Sequence, residues 1–233
     1  MPKIKNILSN HALALMHQDA MLCNLNQAIE SEARYPLITK QGYIHESQMV
    51  TVLHVFARYG CPDAVSYFLG QGYDRDMVNK VKFNQVEVSD SGRETSVVTW
   101  TNYTDISPLM YAITWGQSAI ASMFINAGAN LNLIDSYKNA TALMYAIKKG
   151  NTDLAGLIIS TPGINVNLTD TSKSNALMYE ARYDYAALAN QTLYTGTNVS
   201  AVNVGGQTAR DIALSLGNLD VVGVIDAYVA THP

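Results

Sequence analysis

Polar and apolar residues return along this chain in blocks at a fixed step. Ser107-Pro108-Leu109-Met110-Tyr111-Ala112, Thr141-Ala142-Leu143-Met144-Tyr145-Ala146 and Asn175-Ala176-Leu177-Met178-Tyr179 share one order. The leucine column runs Leu109, Leu143, Leu177, and its next place is Arg210 in Thr208-Ala209-Arg210-Asp211-Ile212-Ala213, giving steps of 34, 34 and 33 residues. A period of that length predicts stacked supersecondary units, each unable to bury its apolar face alone. A glycine follows seven residues after the leucine column at Gly60, Gly116, Gly150 and Gly217, where a turn between two helices needs positive φ; Asp184 takes that place in the fourth unit. A second glycine closes the second helix at Gly72, Gly128, Gly163 and Gly196. The pattern predicts an all-α solenoid of helix-turn-helix units.

Thr51-Val52-Leu53-His54-Val55-Phe56-Ala57 is an upstream copy, and Ala127-Gly128-Ala129-Asn130-Leu131-Asn132 supplies a matching loop. Together these segments resemble the ankyrin repeat, with its Thr-Pro-Leu-His-x-Ala signature, over about residues 51 to 231. The resemblance implies an ankyrin array of about five units. It also departs from the signature. Methionine stands in the histidine column at Met110, Met144 and Met178, exchanging hydrogen bonds to the neighbouring loop for apolar packing. Glu180 stands where a small core alanine is expected, and with Asp184 it predicts local distortion or mobility in the fourth unit.

The leucine step from Leu53 to Leu109 is 56 residues, which adds an insertion over 74–105. Its alternating Val81, Phe83, Val86 and Val88, the Asp90-Ser91-Gly92 turn and the β-branched run from Thr95 to Tyr103 predict a β-hairpin. Phe83 and Trp100 are its candidate contacts. Residues 1–50 lack the signature, but Leu13, Met16, Ala20, Leu22, Cys23, Leu25 and Ala28 leave one apolar helical face; they predict a degenerate helical cap. At the other end Val221, Val222, Val224 and Ile225 predict a closing helix.

Charged residues make up 15% and the net charge is −4, with no long basic run, which argues against a general nucleic-acid or membrane-surface binder. Cys23 and Cys61 are isolated, so they are expected as buried free thiols in a reducing cytosol. Lys3 and Lys5 precede an apolar stretch, but Asn10 and His11 interrupt it and no cleavage pattern follows; export by that route is not expected. The Asn- and Tyr-rich, low-charge composition resembles ankyrin proteins of intracellular bacteria, some of which are delivered as effectors into host cells. That resemblance adds a host cytosol to the expected cytoplasmic location.

No catalytic constellation rises above background. His54 and Cys61 could suggest a Cys-His pair, but His54 occupies the signature's structural column. His11, His17 and His45 lack ligand partners at metal spacing, and Gly205-Gly206 is not followed by the Gly-Lys-Ser/Thr of a phosphate loop. A binding protein without a metal or cofactor is expected, not an enzyme.

In ankyrin proteins the two residues before the interhelix glycine vary and face the concave groove. Here they are Arg58-Tyr59, Thr114-Trp115, Lys148-Lys149 and Arg182-Tyr183. Four of these eight are basic, where 15 Lys and Arg in 233 residues predict about half of one, and three are aromatic. The helix dipole attracts cations to helix C-termini, but it does not explain the aromatics. Arg, Tyr and Trp are the residues that dominate interface hot spots. The candidate partner-binding set is therefore Arg58, Tyr59, Trp115, Lys148, Lys149, Arg182 and Tyr183, and the expected partner is another protein offering an acidic or phosphorylated segment. An enzyme regulator that uses the inserted hairpin is the alternative.

Overall fold

A computed structural model describes residues 23–26, 29, 43–45, 48–76 and 105–232. Two short strands, β1 (Tyr43–His45) and β2 (Gln48–Val50), pair antiparallel with Ile44 opposite Met49 and lead into the first unit. Among the described residues ten helices follow as five pairs: α1 (Val52–Tyr59) with α2 (Pro62–Gly70), α3 (Pro108–Thr114) with α4 (Ser118–Asn126), α5 (Ala142–Lys148) with α6 (Thr152–Ser160), α7 (Ala176–Tyr183) with α8 (Ala186–Leu193), and α9 (Ala209–Leu216) with α10 (Leu219–Thr231). Each first helix packs on the first helices of the adjacent units, and each second helix packs on the second helices beside it.

The same local chemistry starts every first helix. Thr51, Ser107, Thr141, Asn175 and Thr208 are extended at the N-cap, and their side chains accept from the backbone N–H three residues on. This satisfies a donor that the helix itself leaves unpaired. The helix ends are equally regular. Gly60 turns at φ 77°, and a Cβ there would meet the Gln117 side chain of the next unit at 2.6 Å. Asp184 adopts the same left-handed turn at φ 61°, which aspartate tolerates better than most residues.

The leucine column is buried at Leu53, Leu109, Leu143 and Leu177, and Met110, Met144 and Met178 are buried beside it. In the fifth unit charged residues stand in the leucine and histidine columns. Arg210 there forms a two-pronged ion pair with Asp226, with Nε to Oδ1 at 2.5 Å and Nη2 to Oδ2 at 2.8 Å, while Asp211 takes the histidine's part in a capping box with Thr208.

Two expectations are corrected. Cys23 and Cys61 are not free thiols; they form a disulfide, with their Cα atoms 5.3 Å apart across a sequence separation of 38. Isolated spacing had suggested no partner, but the N-terminal segment brings Cys23 onto Cys61 at the N-cap of α2. On the chain-entropy view, closing a loop of that length contributes about 2–4 kcal/mol. A disulfide also removes the support that unpaired cysteines lent to a reducing cytosol. The second correction concerns the fourth unit. α7 is continuous from Ala176 to Tyr183, with Glu180 fully buried inside it rather than breaking it. The inserted hairpin, with Phe83 and Trp100, lies outside the described residues.

Candidate functional site

The C-terminal ends of the first helices and the loops that precede those helices frame one surface. His54 shows how helix and loop are tied in the first unit. It is fully buried, and its Nε2 donates to the Ile106 carbonyl at 2.9 Å while Nδ1 lies 2.7 Å from Thr51 Oγ1. A carbonyl can only accept, so Nε2 carries the hydrogen. Burial lowers the imidazole pKa to about 4, partly opposed by the Ile106 hydrogen bond, so the ring is neutral at neutral pH.

The units of Met144 and Met178 use a different tie. Tyr145 donates to Asp135 Oδ2 at 3.4 Å and Tyr179 donates to Asp170 Oδ2 at 2.8 Å, so the tyrosine column reaches from helix to loop. Asp135 also accepts from the backbone N–H of Tyr137, Lys138 and Ala140, and Asp170 from those of Ser172 and Ser174. Successive loops are then linked by Thr171 N–H to the Lys138 carbonyl at 2.8 Å and Val204 N–H to the Ser172 carbonyl at 2.9 Å. Beneath them, Asn132 and Asn167 each donate to a glycine carbonyl in the next unit, Gly163 and Gly196, at 2.9 Å. The loops thus form a hydrogen-bonded edge held at a fixed distance from the helices.

The seven sequence-predicted residues divide into two groups along this surface. At the first two units, the Arg58 guanidinium lies 4.2 Å from the centroid of the Trp115 ring and 5.5 Å from that of Tyr59. Tyr111 adjoins Trp115 with ring centroids 6.3 Å apart, and Trp115 is 46% exposed. Burial raises the Tyr111 phenol above its ordinary value, with the Arg58 charge acting in the opposite direction. Arginine over aromatic faces is a cation–π arrangement.

At the third and fourth units, Lys148, Arg182 and Tyr183 line one cleft of about 260 Å³ between α5, α7 and the loops. Lys138, Asp170, Ser174 and Tyr179 line it too. Lys149 is exposed at the C-cap of α5 and is not part of that lining. Lys138 escaped the sequence reading because attention to the helix ends leaves out the loops. The signal was present in Asp135 and Asp170, which stand ten and nine residues before a tyrosine.

The ankyrin-repeat family model, in three copies, matches residues 53–170, and the chain belongs to that family. Ankyrin repeats are a protein-binding architecture. Among curated protein sequences none matches the chain. Among solved structures, a chain of the complex between the Bd0816 predatory endopeptidase of Bdellovibrio bacteriovorus and the immunity protein Bd3460 is similar, with a TM-score of 0.66 and 21% identity over 91% of this chain and 97% of that one. At that identity the likeness is one of fold. Among the described residues no group of His, Cys, Asp and Glu is arranged to hold a metal ion, and no helix is long and apolar enough to cross a membrane.

Proposed function

We propose that this ankyrin array binds another protein through the surface between its first helices and its loops, with basic and aromatic side chains as anchors and an anionic segment as the ligand. The convergence of Lys148, Arg182 and Tyr183 on one cleft with Lys138 carries the reading. The Arg58–Trp115 pair supplies a second anchor on the same row of helices. Exposed Trp, Tyr and Arg held by neighbours lose little side-chain freedom on binding, which is why such residues concentrate binding energy.

The test is a variant carrying Lys148→Glu, Lys149→Glu and Trp115→Ala, compared with the parent in partner capture. All three side chains are exposed, so circular dichroism and melting should stay nearly unchanged while capture is lost. Undiminished capture by the folded variant would remove the groove reading.

A second reading, a regulator that masks a partner enzyme with the segment over 74–105, is favoured by the structural neighbour's occurrence in a complex of an endopeptidase with an immunity protein. Deleting residues 77–102 and rejoining them with a short turn should leave the array folded. On this reading the deletion abolishes capture or inhibition through loss of Phe83 and Trp100; retained capture and inhibition would reject it.

A further inference from the structure

The cleft in the third and fourth units has a more specific chemistry than a basic surface. Three cations, Lys138, Lys148 and Arg182, line it beside a single carboxylate, Asp170. That carboxylate is already engaged: Oδ1 accepts from the N–H groups of Ser172 and Ser174 at 2.8 Å each, and Oδ2 accepts from the Tyr179 hydroxyl at 2.8 Å. Among the described residues the ion pair is Arg210 with Asp226, so none of the three cleft cations has a carboxylate partner. Lys138 Nζ lies 5.5 Å from the centroid of the Tyr137 ring, a looser contact than that of Arg58, whose guanidinium is stacked 4.2 Å over Trp115. Lys149 stands outside the cleft.

We infer that the cleft between α5, α7 and the loop residues Lys138 and Asp170–Ser174 receives one carboxylate side chain from an acidic segment of a partner protein. This rests on the groove reading above and gives it an address. The planar guanidinium of Arg182 can meet a carboxylate with two parallel hydrogen bonds, and the two lysines act as flanking point charges. Three cations against one engaged carboxylate leave the cleft with a surplus of positive charge that complements an acidic segment. The hydroxyls of Thr171, Ser172 and Ser174 line the same space and can donate to the incoming oxygens.

The experiment titrates isotopically labelled full chain with three capped peptides of the same length: one with consecutive glutamates, one with glutamines in their place, and one with a single phosphoserine. The glutamate peptide should shift resonances of Lys138, Thr171, Ser172 and the Arg182 guanidinium. Its affinity should fall about tenfold in Arg182→Gln. It should fall by a smaller factor in Arg182→Lys, which keeps the charge and loses the fork, and stay within about twofold in Arg75→Gln, an exposed cation outside the cleft. Lys148→Gln gives a second reading of the same cleft. Equal shifts with the glutamine peptide, tighter binding of the phosphoserine peptide, an equal loss in Arg75→Gln, or no localised shift would each overturn the carboxylate assignment. If Arg182→Gln captures the partner as well as the parent does, the cleft is excluded; loss of capture in the triple variant would still uphold the wider groove.

Discussion

Replacing Glu180 by glutamine should stabilise the array relative to the parent by an amount that grows as pH rises from about 4.5 to about 8. Glu180 is fully buried in α7; Oε1 accepts from the Thr192 hydroxyl at 2.6 Å, and Oε2 has no hydrogen-bond partner among the described residues. Burial pushes the carboxyl from its ordinary 4.5 up to about 8, and the Thr192 hydrogen bond only partly opposes this. The folded state therefore holds a proton that the unfolded chain releases. Below about 4.5 both states are protonated and nothing is lost; as pH rises to about 8 the folded state is progressively penalised, and above that the full penalty applies. At about 1.4 kcal/mol per unit, the total is several kcal/mol. Urea melts at acidic, neutral and mildly basic pH would show the two proteins within about 1 kcal/mol of each other in acid and diverging as pH rises, with Glu180→Gln the more stable. Parallel pH profiles for the two proteins would contradict a buried, protonated carboxyl.

Leu143→Ala should destabilise the array by about 2–5 kcal/mol. Leu143 is 1% exposed in α5, the first helix of the central unit, between α3 and α7. The lost methyl groups leave a cavity that rigid neighbours cannot fill. Because a repeat array is stabilised through its nearest-neighbour interfaces, a defect at the centre weakens the contacts on both sides. Leu219→Ala is the control: that side chain is 67% exposed, so its replacement should stay within about 0.5 kcal/mol. Equal effects of the two substitutions in denaturant melts would show that the leucine register does not define the core.

The helical architecture was legible because it repeats. A column that returns after 34 residues gives several independent readings of the same capping, burial and turn chemistry, so Thr51, Thr141 and Asn175 announce helix starts, and Gly60 and Gly150 announce turns. Asp184 was legible as the odd member of its column, and it turns in the same left-handed conformation. What does not repeat was harder to read. The Cys23–Cys61 bond depends on how a non-repeated N-terminal segment lies on the first unit, and no spacing rule carries that information. Glu180 was recognised as out of place, but not that Thr192, twelve residues later on α8, would supply a hydrogen bond and let α7 remain continuous. At the candidate site the helix-end residues were found by position, whereas Lys138 joins them only because Asp135 folds its loop back over the helices. Tyr145 and Tyr179 stand in the repeated blocks, but the repeat alone does not show that their hydroxyls reach the loop aspartates, which makes Tyr179 part of the cleft wall.

Hydrogen exchange on the array with and without its captured partner tests the central claim most directly, since it reads every element at once. Binding through the groove predicts slowed exchange in the loops over 136–141 and 170–175 and at the C-terminal ends of α3, α5 and α7, with the second helices α4, α6 and α8 unchanged. Protection confined to α6 and α8, where Thr152, Gly156, Tyr185 and Gln191 line a separate open depression of about 670 Å³, would contradict it and move the binding surface to the opposite row of helices.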